Sequence, residues 1–314
     1  MFPPDLIEER IASMAQAEAL LHDQATATDN SLRLWYQWYE PRVGDKHVRK
    51  LTKKIVTIAY ARMALRNGSL SLNPRSYHSE KHIDDLFKRL IKISALQEGS
   101  EIPDYGWTLL SLFVSCHDLR QSETPNVSDC VGSNEQASFQ ELLRLLEKYD
   151  TKDLITKEHR NVLKLMIHGS TFGRSEDNRG NIYNGKLLKY LLVDNTEFSD
   201  TDIELAYIAC DIDTANVAAD LKDYARSSIN VYNEIQNVSP SMISARKFFG
   251  EQQEQFFFEL QKFDSKLCGL AFEMGKEKNA PLVKQISQKI KQLDNTLTND
   301  EVVKRYVSLV KSLA

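Results

Sequence analysis

Histidine is scarce in this chain, 7 in 314 residues, and three of the seven fall in two short stretches. Residues 75–82 read RSYHSEKH and residues 115–118 read SCHD. Two further stretches follow, NEQAS at 134–138 and ACDID at 209–213. Taken in order, they offer a histidine, a histidine with an aspartate directly behind it, and then an aspartate. His82, His117, Asp118 and Asp211 would supply two neutral imidazole nitrogens and two carboxylates. That mixture suits a divalent Mn, Fe, Co, Ni, Zn or Mg ion better than a thiolate-loving metal. Four protein donors on a six-coordinate ion leave room for water and substrate. Such an ion makes water more acidic and polarises a phosphoryl oxygen. His78, one helical turn before His82, would reach past the ligand and protonate a leaving alkoxide.

Taken singly, a histidine on an apolar helix is more often a satisfied core residue than a ligand. The ordered set argues for a site, because burying a carboxylate such as Asp118 behind an apolar helix is costly unless it is paired or binds a metal. Asp211 and Asp213 are two apart, so on a helix they point about 200° from each other and only one can face a site.

At these residues the chain resembles the HD-domain metal-dependent phosphohydrolases, whose pattern is His, then His-Asp, then Asp on an all-helical fold. The nearer likeness is to HD phosphohydrolases whose first motif reads Tyr-His-Asn-x-x-His. Those also carry Asn-Glu-x-x-Ser after the His-Asp, and the chain matches it at Asn134, Glu135 and Ser138. Here the first motif is YHSEKH, with Ser79 where those proteins have Asn. The likeness covers residues 75–217. It implies His82, His117, Asp118 and Asp211 as ligands, Asp211 being chosen because ACD aligns with the family. It implies a catalytic part for His78 and Asp118. His78 resembles the proton donor of the cyclic-nucleotide phosphodiesterases, and QEQF from Gln253 resembles their base-reading Gln-x-x-Phe. The second histidine that follows the His-Asp in those enzymes has no counterpart, which puts a second ion in doubt.

Around the ligands, Glu135 and Asn134 would orient an imidazole or water. His168 and Arg75 would meet substrate phosphate, with Lys81, Arg120 and Arg174 as further cations. The expected function is hydrolysis of a phosphomonoester or phosphodiester, a nucleotide above all. The alternative is a non-enzymatic helical interaction or sensor protein that keeps an HD-type metal site. A di-iron oxygenase would need more histidines, and only His159 and His168 are near in sequence.

The elements that must position these residues read as helices. Gly is 12 and Pro is 8, few breakers for this length. Apolar spacing predicts helices over 4–27, 46–66, 77–96, 104–118, 134–149, 153–168, 186–194 and 200–224. Further amphipathic segments lie at 282–293 and 300–313, and an apolar run, KFFGEQQEQFFFELQKF, follows Pro240. The aromatic stretch LRLWYQWYEP (32–41) reads as an anchor onto the core, with a partner-binding patch as the other reading. Residues 121–133 and 169–185 read as polar loops. The expected fold is an all-α, HD-type helical bundle in a single domain over 1–314. Its core would span 75–222, with N-terminal helices before it and a helical extension, 223–314, after it.

Net charge is −4 and the four cysteines form no C-x-x-C pair. Nucleic acid is therefore not an expected partner. No apolar run approaches the roughly 20 residues that span a bilayer, and no secretory signal is visible, so a cytoplasmic protein without a membrane partner is expected. A homo-oligomer is compatible with the sequence.

Overall fold

A computed structural model describes residues 2–23, 28–123, 131–176, 182–193, 197–238 and 243–313. Among the described residues the protein is all-α apart from one two-stranded antiparallel pair. Its internal contacts divide it into two compact units, Met1–Ile212 and Asp213–Ala314. Among the described residues no helix is long and apolar enough to cross a membrane.

The first unit contains α1 (Leu6–Arg10), α2 (Met14–Asp23), α3 (Thr28–Tyr39), α4 (Lys46–Arg66), α5 (Glu80–Ser94) and α6 (Asp104–Cys116). It continues with α7 (Ser133–Tyr149), α8 (Lys157–Gly169), the strands β1 (Phe172–Glu176) and β2 (Ile182–Lys186), α9 (Leu188–Leu191) and most of α10 (Asp200–Thr214). The centre is the pair α4 and α6. Every residue of α6 from Gly106 to Cys116 is buried, as is α4 from Ile55 to Ala64. A helix that is apolar nearly all round is stable only inside other elements. Here α4 packs on α1, α2, α5 and α7, and α6 packs on α5, α7 and α8. Each fully buried Leu, Ile or Phe of this pair contributes about 1.5–3 kcal/mol.

Several boundaries differ from the expected ones for local reasons. The first segment is two helices, because Asp5 caps Ile7 and Glu8, and the carbonyls of Ile11 and Ala12 leave the helix to meet Arg62, Lys148 and Tyr149. Helix α5 starts at Glu80, since Ser79 is extended (φ −139°, ψ 178°). His78 therefore lies in the loop before α5, not on its face. Helix α8 starts at Lys157, capped by Thr156, after a turn in which Asp153 takes φ 52°. Part of the polar stretch after α8 pairs as an antiparallel hairpin, Phe172 opposite Lys186 and Glu176 opposite Ile182. The expected helix over 200–224 ends at Thr214. A 3-10 turn (Ala215–Ala218) follows, and Asn279 takes the freed carbonyls of Val217 and Ala219 at 2.9 and 2.7 Å.

The second unit holds α11 (Leu221–Val238), the helices Lys266–Lys291 and Asn299–Leu313, and an irregular helical run between them. That run contains two π-helical turns, Phe248–Gln252 and Phe256–Leu260. Tyr224, Tyr232, Phe248, Phe249, Phe257 and Tyr306 form its aromatic core.

The aromatic stretch is an anchor. Trp35 stacks between Tyr39 and Phe87, and its Nε1 donates to Ser111 Oγ at 3.1 Å. Tyr39 OH meets Thr108 Oγ1 at 2.9 Å, and Trp38 Nε1 donates to Ser94 Oγ at 2.7 Å. Trp35 is 1 % exposed. Trp35→Ala is expected to lower the unfolding free energy by about 3–5 kcal/mol in a urea titration. A loss below about 1 kcal/mol, the size of a surface substitution or a small trim, would show that the segment is not part of the core.

Candidate metal centre

Helix α5 is set in place at its first turn. Glu80 is buried, and its carboxylate accepts from the backbone N–H of Ser69 at 3.0 and 3.1 Å. The turn after α4 admits this because residue 68 is glycine: a Cβ there would stand 1.5 Å from Glu80 Oε2. That contact ties the start of α5 to the end of α4 and turns His82 inward.

His117 and Asp118 follow the last turn of α6, His117 being its C-cap. His117 Nδ1 lies 3.2 Å from the Phe113 carbonyl, and its ring stacks on Phe113. In the neutral imidazole Nδ1 then carries the proton, and Nε2 has the lone pair. Nε2 lies 3.1 Å from Asp118 Oδ2, and His82 Nε2 lies 3.5 Å from the same oxygen. His82, His117 and Asp118 are all buried, and their donor atoms lie within 4.8 Å of one another. Two imidazole nitrogens and a carboxylate oxygen converging from separate elements fit a divalent ion that takes N and O ligands.

The electrostatics agree with this grouping. Burial pushes the Asp118 carboxyl up, but the imidazoles of His117, His78 and His82 outweigh it and hold Asp118 below the usual carboxylate range. Glu135 is pushed above the usual range by burial and by the charge of Asp118. His78 bears on both carboxylates, which puts it beside the cluster. Its ring centre is 6.2 Å from that of His82, and Tyr77 lies against both rings. Glu135 folds back on the start of α7, where a Cβ on residue 132 would meet its Oε2 at 1.9 Å.

The role of the NEQAS stretch is a finding of the structure. Asn134 and Ser138 are one turn apart on α7 and both hold the segment that follows Asp118. Asn134 Oδ1 accepts from Glu123 N at 3.1 Å, and Ser138 Oγ accepts from Arg120 N at 3.0 Å. Gln121, in a stretch whose sequence reads as polar loop, donates from Nε2 to Asp118 Oδ1 at 2.7 Å.

The other expected residues lie as follows. Asp211 is fully buried in α10, and its carboxylate pairs with buried Lys186, the last residue of β2. It is not one of the three mutually close donors. Arg75 donates to the Gln121 carbonyl and to Ser122 Oγ. Arg120 is paired with Glu8 and Glu123, at 3.2 and 2.6 Å, within a group that also joins Asp5, Arg62, Arg66, Glu141 and Arg144. Lys81 is exposed. Gln253 lies in the second unit, where its Oε1 accepts from Tyr224 OH at 3.0 Å and Ser228 Oγ at 2.7 Å. Cys130 and the side chain of Arg174 lie outside the described residues.

Compared with models of known families and with curated proteins, the chain matches none of them.

His168 lies in the last turn of α8, with the Phe139 ring edge-on at 5.5 Å, and its buried Nε2 has no hydrogen-bond partner among the described residues. It is not in the cluster of three. Burial, helped by Lys164, pushes its pKa from 6.5 down to about 4. Between those values the unfolded chain holds a proton that the folded chain lacks, so stability falls as pH falls. At about 1.4 kcal/mol per unit the total is about 3 kcal/mol. His168→Leu is expected to remove that part of the slope when unfolding free energy is measured from pH 7 to pH 4. An unchanged slope would assign the acid sensitivity to other groups.

Proposed function

We propose that the chain is a metal-dependent phosphohydrolase that cleaves a phosphomonoester or phosphodiester, a nucleotide being the substrate of choice. The observation that supports this reading best is the buried convergence of His82, His117 and Asp118, from stretches 35 residues apart in sequence. In this reading the three side chains hold a divalent ion. The resemblance to HD phosphohydrolases adds Asp211 as a fourth donor, in competition with Lys186 for the same carboxylate. When bound, such an ion would make water more acidic and would polarise a phosphoryl oxygen.

The chain's own residues do the rest. Asp118 keeps its charge in the presence of the imidazoles, so it stays a donor across the neutral range. His78, with its ring centre 6.2 Å from that of His82, is the group proposed to protonate the departing alkoxide. Glu135, whose carboxyl is raised by burial and by the charge of Asp118, is the further group proposed to exchange protons with water or substrate. Gln253 has no part in this reading, because its amide oxygen is taken by Tyr224 and Ser228. The cytoplasm, where thiols such as Cys116, Cys210 and Cys268 stay reduced, is the compartment it fits.

The test is a panel of nucleotides and nitrophenyl phosphate esters, assayed with Mn, Ni, Co and Mg in turn. Turnover that depends on added metal is the expected result, and none with any metal would overturn the proposal. His78→Ala refines it. A general acid is worth about 10²- to 10⁴-fold in rate, so kcat should fall by that order with metal content unchanged. The fall should be smallest for nitrophenolate, which needs little protonation to leave. Loss of the metal, or an equal fall for every leaving group, would remove His78 from the role.

A further inference from the structure

The aspartate that follows His117 has two oxygens, and the structure treats them differently. Oδ2 faces both histidine nitrogens, at 3.1 and 3.5 Å. Oδ1 accepts a hydrogen bond from Gln121 Nε2 at 2.7 Å. The amide of Gln121 is itself oriented, since its Oε1 accepts from Asn134 Nδ2 at 3.3 Å. Asn134 is oriented in turn, because its Oδ1 accepts from the backbone N–H of Glu123. Turning the Gln121 amide over would set an oxygen against the Asp118 carboxylate and a nitrogen against the Asn134 amino group. Both contacts would be repulsive, so the relay has one favourable direction. The backbone at Gln121 is clamped as well, by Arg75 on its carbonyl and on Ser122 Oγ.

We propose that Gln121 is a positioning residue for the metal centre: it holds Oδ1 of Asp118 and so leaves Oδ2 as the oxygen offered beside the two histidines. The inference rests on the reading of His82, His117 and Asp118 as a metal centre. It also gives Asn134 a task, which is to fix the direction of the Gln121 amide from α7. Charged ligands are held this way because a carboxylate free to rotate loses entropy and register on each binding event.

The experiment is calorimetric titration of the full chain with Mn(II), alongside variants. Partners of ligating side chains are worth about 10- to 100-fold in metal affinity, so Gln121→Ala should bind Mn(II) that much more weakly. Gln121→Glu keeps the size and the acceptor but lacks the donor at neutral pH, so it should not restore affinity. Both variants lose a donor to a buried carboxylate and should melt lower without metal, so each is titrated well below its own metal-free melting temperature, with its helical circular dichroism matched to the parent. The visible absorption of bound Co(II) should shift in Gln121→Ala, which a residue that only fills the loop would not cause. Asn134→Ala should also weaken binding, and its effect should disappear in the Gln121→Ala background. Parental affinity in Gln121→Ala or in Gln121→Glu would overturn the inference and leave the metal centre standing. A parent protein that binds neither ion would overturn both.

Discussion

A carboxylate that is taken out of water must find a positive charge or a hydrogen-bond donor for each of its oxygens. Asp118 meets that requirement on one oxygen with Gln121, while its other oxygen faces Nε2 of His117 and of His82, which satisfy it as imidazolium or through a cation shared with it. Much of the first unit can be understood as what it takes to keep those groups in register. The end of α6 fixes His117 through the Phe113 carbonyl. The Glu80–Ser69 contact fixes the start of α5 and with it His82. The side chains of Asn134 and Ser138 fix the segment that carries Gln121. Three stretches far apart in sequence thus depend on one buried charge.

The same constraint recurs elsewhere in the unit and is met by other partners. Glu141 is completely buried between Arg62 and Arg66. Glu8, from the first helix, lies with Arg62, Arg120 and Arg144. Asp211 has Lys186. These groups are closed: each acid already faces a fixed cation, and removing one partner of such a pair typically costs about 3–5 kcal/mol. The cluster at Asp118 differs because its partners are imidazoles, which can be neutral. A set of buried groups whose charge is not already cancelled by Arg or Lys is the kind that can take up a cation from outside.

Much of this was legible in the sequence, and the remainder has physical reasons. Helices α4 and α7 lie where apolar spacing puts them. The inward turn of His82, His117 and Asp118 was legible because scarce histidines stood beside apolar runs. His78 was misplaced onto the helix because the periodic apolar residues start only at Ile83, and nothing in YHS marks Ser79 as extended. The break after Thr214 has no glycine or proline to announce it; its carbonyls are satisfied by Asn279, 60 residues or more away. Gln121 and Lys186 could not be read at all. A polar residue in a loop acquires meaning only from the carboxylate it meets, and neither residue stands in a motif.

The central claim is that the three buried side chains bind a divalent cation. The most direct measurement is anomalous diffraction from crystals grown with saturating Mn(II). The expected result is one anomalous peak per chain at this site, with His82 Nε2, His117 Nε2 and Asp118 Oδ2 as its nearest protein atoms. A map without a peak there, or with the ion on other side chains instead, would contradict it.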